Sequence, residues 1–103
     1  MNWEMGCHRA ILINKKVVPC EDLRTWAQWI QQAHRHVEET HIGQVRISTV
    51  FLGLDHGFGR VPLWFETMIF GGEHDQYQER YNSWTEAETG HKRAVELVEK
   101  CLT

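Results

Sequence analysis

Two apolar runs of strand length lie close together in the middle of this 103-residue chain, and they limit its fold more than any other feature. In residues 44–54, apolar and polar side chains first alternate and then give way to a stretch that is apolar on both faces, as in a strand that becomes buried. Residues 63–70, LWFETMIF, form a second such run. The segment between them contains two glycines and a proline, so we expect neighbouring antiparallel strands joined by a hairpin loop.

The segments on either side of these strands have the spacing of amphipathic helices. In residues 21–37 the apolar side chains recur at i, i+3, i+4 and i+7, which predicts a helix with one face on the core. Residues 85–102 repeat this pattern. The start of this second helix is marked by overlapping capping-box sequences, one of which begins at Ser83 and the other at Thr85.

Two further strand-forming regions complete the predicted fold. Residues 9–13 and 17–18 are short apolar runs that indicate an N-terminal hairpin, and residues 77–81 are a candidate third central strand. The sequence therefore predicts an α+β fold. In it, an antiparallel sheet, made of the N-terminal hairpin plus two or three central strands, packs with two amphipathic helices.

Length and composition favour one domain over residues 1–103. Hydrophobic residues make up 42% of the chain and charged residues 24%, which is typical of a globular protein that folds on its own. The three cysteines are odd in number and form no CxxC pair, so they fit a reducing cytoplasm better than a disulfide framework. No signal peptide and no apolar run of the ~20 residues needed to cross a bilayer is visible, so we expect a cytoplasmic protein without membrane association.

The charge and the histidine content limit the classes of partner. The formal net charge of −3 provides no overall positive field, so non-specific nucleic-acid binding is not expected. A few positioned donors are nevertheless enough to bind a small anion. None of the seven histidines has the spacing of a metal motif such as HExxH, so we expect no metal site and no cofactor. The sequence leaves open whether the protein forms a homo-oligomer.

The loop between the two central strands contains the densest polar cluster of the chain. Asp55, His56 and Arg60 stand there together with two glycines, at the end of a run that should be buried. Glycines allow backbone N–H groups to approach an anion, and a guanidinium can bind phosphate or carboxylate through two hydrogen bonds. The segment matches neither GxGxxG nor a P-loop, so an ordinary tight loop is the alternative interpretation.

Two other polar residues stand at positions where apolar side chains are expected. Glu66 lies inside the second apolar run, where an unpaired carboxylate would be costly to bury. It either faces solvent or pairs with His56, Arg60 or Arg80 in a cleft. His91 lies on the apolar stripe of the last helix, either as a hydrogen-bonded core histidine or, if that helix lies beside the loop, as a contact for an anion.

Four motifs follow one another along the chain: ISTVFLGLDHGFG at 47–59, FETMIFGG at 65–72, YQERY at 77–81 and WTEAETGH at 84–91. With the sequence around them, over about residues 26–98, they resemble a family of small uncharacterised bacteriophage and prophage proteins. The resemblance implies a phage gene product that acts in the bacterial cytoplasm. It implies no activity and no residue roles.

The leading hypothesis is a non-enzymatic phage accessory protein. It would bind a small anionic, nucleotide-like ligand or a host protein and could so counter a host defence. One alternative is a nucleotide or phosphodiester hydrolase that uses Asp55, His56 and Glu66. The other is a purely structural protein-interaction module anchored by Trp3 and Trp29. The candidate ligand residues, which we expect to meet in one hollow at the strand ends, are Asp55, His56, Arg60, Glu66, Arg80 and His91.

Overall fold

The computed structural model describes residues 8–102. Its elements in chain order are β1 (Ala10–Ile13), β2 (Lys16–Pro19), α1 (Leu23–Gln32), β3 (His36–Ile42), β4 (Val45–Phe51), β5 (Phe65–Phe70), β6 (Gln78–Tyr81) and α2 (Trp84–Lys100). Within this described part, β1 and β2 form a two-stranded antiparallel sheet, and the other strands form an antiparallel sheet in the order β3-β4-β5-β6. The predicted α+β class, with its N-terminal hairpin and antiparallel central strands, is confirmed.

The predicted helix over residues 21–37 was too long, because its last part belongs to a strand that the sequence did not reveal. The side chain of Asp22 caps the N-terminus of α1 by accepting a hydrogen bond from a backbone amide. At Ala33 the backbone is already extended, and β3 follows. A β-bulge near the start of β3 breaks the two-residue alternation, so Val37 and Thr40 keep a spacing that resembles a helix.

The hairpin and the second helix form where the local sequence predicts them. Asn14 and Lys15, at the tip of the β1–β2 hairpin, have φ values of 52° and 69°, the left-handed values that a two-residue type I′ turn requires. In α2, Ser83 is the N-cap and forms a reciprocal capping box with Glu86. The helix therefore uses the earlier of its two capping sequences.

The two helices pack against different parts of the fold. α2 lies across one face of the large sheet and contacts all four of its strands. α1 contacts β1, and its Trp29 ring meets Phe51 at the end of β4 edge-on, with the ring centroids 5.7 Å apart. The core forms two clusters, whose fully or nearly buried members are Ala10, Phe51, Trp64, Phe65, Tyr81 and Ala87 in one, and Ile47, Ile69, Ala94 and Val98 in the other.

Candidate functional site

The structure does not bring the six predicted ligand residues together. It divides them among three places, and the expectation of one shared hollow is therefore corrected. The loop between β4 and β5 contains Asp55, His56 and Arg60. The face of the large sheet that points away from α2 carries Glu66 and Arg80. His91 lies beneath α2.

Asp55 holds its own loop together. Its Oδ1 accepts hydrogen bonds from the backbone amides of Gly57, at 2.6 Å, and Leu63, at 3.1 Å. His8 Nδ1 lies 3.6 Å from the other carboxylate oxygen, and the Asp55 side chain is only 8% exposed. The Oδ1 oxygen therefore already has two backbone donors within the loop, which is the pattern of an Asp-initiated turn.

The two other loop residues face different surroundings. His56 donates from Nδ1 to the Leu54 carbonyl oxygen at 3.0 Å, which fixes the ring beside its own backbone. Arg60 is exposed. Its backbone amide donates to the Gly57 carbonyl oxygen at 3.2 Å, but within residues 8–102 its guanidinium has no hydrogen bond or ion pair. Phe58 lies between them in sequence and is 83% exposed. This loop therefore presents an apolar ring and a cation to solvent.

Glu66 and Arg80 form an ion pair across two neighbouring strands. They are directly opposite each other in the β5–β6 register, and Arg80 Nε lies 3.0 Å from Glu66 Oε2. The side chains are 30% exposed for Arg80 and 14% exposed for Glu66. Of the three partners considered for Glu66, Arg80 is thus the one it contacts.

His91 is a core histidine held by two threonines. It is 1% exposed, and its Nδ1 and Nε2 lie 2.7 Å from the Thr49 hydroxyl and 2.8 Å from the Thr40 hydroxyl. Burial lowers the pKa of the imidazole, although the charge of Glu38 acts in the opposite direction. A neutral ring satisfied on both sides leaves no atom for a ligand.

His91 and the Glu66–Arg80 pair lie on opposite sides of the large sheet. The Thr67 hydroxyl is hydrogen-bonded to the Thr49 hydroxyl, which contacts His91, so Thr67 faces α2. Successive side chains of a strand point to opposite faces, so Glu66 faces away from α2. No ligand of ordinary size could contact both.

A groove runs between the edge strand β6 and the helix α2, with a volume of about 480 Å³. We call it the β6–α2 groove. One predicted residue, Arg80, lies at its rim. The residues that line it are Val61, Leu63, Arg80, Tyr81, Asn82, Thr85, Glu86, Thr89 and Arg93.

A second guanidinium, that of Arg93, stands on the helix side of this groove. Its Nη2 donates to Glu79 Oε1 at 2.8 Å, and the hydroxyls of Tyr81 and Tyr77 donate to the same oxygen at 2.9 and 3.2 Å. Partial burial raises the pKa of Glu79, but the hydrogen bonds from Arg93 and Tyr81 outweigh this, so the pKa lies below its usual value. Glu79 is therefore a stable anion that holds Arg93 in place.

The N-terminus of α2 is not the anion-binding end of this groove. The carboxylate of Glu86 accepts hydrogen bonds from the backbone amides of Asn82 and Ser83, at 3.0 and 3.2 Å. The Glu86 carboxylate thus already places a negative charge at the positive end of the α2 dipole, where a second anion would be repelled. The cationic side chains that line this groove are those of Arg80 and Arg93. Each guanidinium has five N–H donors, and the ion pairs use the Nε of Arg80 and the Nη2 of Arg93.

Sequence reasoning found Arg80 and missed Arg93. The available signal was the spacing of Glu86, Thr89 and Arg93, which places them along one polar face of α2. That spacing identifies a face but does not say which strand edge the face borders. The sheet order, with β6 at the edge, supplies this information.

A second groove, of about 390 Å³, lies on the other side of the start of α2, and we call it the hairpin groove. The Lys15 ammonium group at its rim lies 5.4 Å from the centre of the Trp84 ring. The groove is lined by Lys15, Lys16, Val17, Trp64, Asn82, Ser83, Trp84 and Thr85.

Within residues 8–102, no three histidine, cysteine or acidic side chains are arranged so that they could hold a metal ion. In the same part of the chain, neither helix is both long and apolar enough to cross a membrane. Trp3, one of the two predicted protein-binding anchors, lies outside the described residues. No protein-family model, curated protein or solved structure matches the chain.

Proposed function

We propose that this protein is a phage-encoded accessory protein that binds an anionic ligand in the β6–α2 groove and does not change it chemically. The ligand groups would be phosphates or carboxylates, presented either by a small nucleotide-like molecule or by a host protein. The phage setting rests on the sequence resemblance over residues 26–98, and interference with a host defence would follow from capture of such a ligand.

The observation that carries this proposal is the position of two arginines at one groove. Both residues line it, Arg80 from the strand edge and Arg93 from the helix. Their guanidinium groups pair with carboxylates on opposite faces of β6, Arg80 with Glu66 and Arg93 with Glu79. Held guanidinium groups lose less side-chain entropy when they bind an anion. The volume of about 480 Å³ falls in the range of roughly 300–1,000 Å³ that is usual for ligand sites.

Binding is better supported than hydrolysis because the residues considered for catalysis are already engaged elsewhere. Asp55 organises its loop, and His56 bonds to its own backbone. Glu66 is paired with Arg80 on the sheet. General acid–base catalysis needs its groups within hydrogen-bonding reach of one substrate, and none of these three lines the β6–α2 groove or the hairpin groove.

Calorimetric titration with a panel of anions tests the proposal. The panel contains pyrophosphate, nucleoside triphosphates, cyclic dinucleotides and a short blocked peptide in which glutamate and valine alternate. Arg93→Gln should weaken binding of the active probe by about tenfold or more, since a hydrogen bond to a charged group contributes roughly 1.5–3 kcal/mol. The control is Arg24→Gln, at an exposed position of α1, which makes the same change of net charge and should leave binding of the probe unaltered.

Two results would overturn the proposal. One is the absence of heat with every anion of the panel. The other is equal weakening by Arg93→Gln and Arg24→Gln, which would indicate a general effect of net charge. A nucleotide that binds should be recovered chemically unchanged after incubation with the protein. Turnover that is lost in His56→Ala would instead support the alternative function, a hydrolase.

A further inference from the structure

We infer that the groove takes an extended acidic segment of a partner protein, which pairs with β6 and adds a fifth strand to the large sheet. This inference rests on the proposed function and names the ligand class of the same site. It follows from the backbone of β6, the charges at its edge and the apolar loop beside it.

The backbone of β6 has hydrogen-bonding groups that point away from the sheet. The carbonyls of Tyr77 and Tyr81 accept hydrogen bonds from the amides of Ile69 and Trp64, at 3.1 and 2.8 Å, on the β5 side. Because these groups alternate in direction along an antiparallel strand, those of Gln78 and Arg80 point outward. An extended peptide can pair with such an edge through its main chain, which a nucleotide cannot do.

The other edge of the sheet is less suited to strand addition. β3 carries a β-bulge between His36 and Glu38, and the charged side chain of Glu39 contacts three cationic or imidazole groups around it. A bulge is one means by which an edge strand avoids pairing, and it distinguishes β3 from β6, whereas charged side chains stand on both edges. In β6 the residue pairs with β5 are regular over the whole strand, and a groove runs alongside it.

The side chains around the groove indicate a partner with alternating acidic and apolar residues. A residue that pairs opposite Arg80 would share its face of the sheet, where a carboxylate is favourable. Its neighbours along the partner strand would point to the α2 side, over Val61 and Leu63. Val61, which lines the groove, is 65% exposed, and Phe58 of the same loop is 83% exposed.

A second copy of the chain is a poor occupant of this edge. Antiparallel pairing of β6 with its own copy about Glu79 would place Glu79 directly opposite Glu79. Pairing about Arg80 would place Arg80 opposite Arg80. Like charges directly opposite each other destabilise a strand pair, so these two registers of self-pairing are disfavoured.

Amide hydrogen exchange of the isotopically labelled chain tests the inference. The probe is the blocked peptide of alternating glutamate and valine. At saturation it should slow exchange of the Gln78 and Arg80 amides by about tenfold or more, because both become ladder donors. A peptide of alternating lysine and valine, and a glutamate–valine peptide N-methylated at every second amide, should give no protection.

A variant of the protein provides an independent readout. Gln78→Pro removes one outward donor, and proline is tolerated on the outer side of an edge strand. It should abolish peptide binding but leave any binding of pyrophosphate at the arginines unchanged. Circular dichroism of the variant establishes that it is folded, and the N-methylated peptide tests the same hydrogen bonds with the unaltered chain.

The outcomes separate this inference from the proposed function. If the N-methylated and unmethylated peptides bind equally well, or if nucleotides bind while the glutamate–valine peptide does not, strand addition is wrong and anion binding stands. If no anion of any kind binds, both fail. If the unmethylated acidic peptide protects the Gln78 and Arg80 amides and the control peptides do not, the result supports both strand addition and anion binding.

Discussion

Gly90 of α2 lies directly against the ring of Tyr81, so that a Cβ atom on Gly90 would come within 2.1 Å of the Tyr81 hydroxyl oxygen. Tyr81 is 5% exposed, and its hydroxyl donates to Glu79, the residue that holds Arg93. The contact between helix and strand thus fixes one wall of the β6–α2 groove. The absence of a side chain at Gly90 makes this contact possible.

Gly90→Ala should therefore destabilise the protein. In an exposed helix this change stabilises by about 1 kcal/mol, because glycine is a poor helix former. Here the added methyl group would push the Tyr81 ring out of a filled core, and such overpacking costs about 1–3 kcal/mol. Urea unfolding measures the difference, with Glu88→Ala on the exposed side of α2 as a near-neutral control. A gain in the free energy of unfolding for Gly90→Ala would contradict the contact.

The stability of the protein should depend on pH through His91. Its pKa is lowered in the folded state by burial, whereas the unfolded chain binds a proton near the ordinary value of 6.5. As the pH falls below 6.5, the unfolded state takes up a proton before the folded state does, so stability decreases until the pH reaches the lowered pKa. The free energy of unfolding of the wild type should therefore fall relative to that of His91→Gln over this window, and parallel curves would refute the assignment.

Substitution of Asp55 should destabilise the protein far more than substitution of His56, although the two residues are adjacent in sequence. Asp55→Ala leaves the amides of Gly57 and Leu63 without their acceptor and should cost about 1–3 kcal/mol. His56→Ala removes one bond to a local carbonyl at the surface and should change stability by less than about 0.5 kcal/mol. Thermal unfolding of the two variants provides the comparison. Equal losses would mean that Asp55 does not organise the loop.

The ion pair of Glu66 with Arg80 should be measurable as a coupling energy. Glu66→Gln and Arg80→Gln, alone and together, form a double-mutant cycle in which the pair should contribute about 0.5–1 kcal/mol. Because both side chains remain partly exposed, added salt should reduce this value. A coupling energy of zero at low salt would show that the pair is not maintained in solution.

The large elements could be predicted where the sequence pattern is regular. β4 and β5 were found because their apolar runs are strongly marked, and α2 because its stripe and its capping box at Ser83 agree. β3 was missed because its bulge disrupts the alternation around Val37. A rule that rests on a strict period fails at the position where a strand contains one extra residue.

The candidate site was harder to predict than the fold, because it depends on which faces meet. Glu66 and Thr67 are neighbours in sequence and lie on opposite sides of the sheet, so the polar residues that look clustered in sequence are separated in space. Arg80 reaches the groove because β6 is an edge strand. Arg93 shares the groove because α2 crosses that edge, which is a property of the packed structure and not of any local pattern.

An NMR titration of the labelled chain with pyrophosphate tests anion binding at the two arginines most directly. We expect saturable shifts of the backbone amides of Val61 and Leu63 and of residues 80–82 and 85–93, and the loss of these shifts in Arg93→Gln. Shifts centred instead on Lys15 and Lys16 would place the anion in the hairpin groove and contradict the account. So would unchanged spectra throughout the titration.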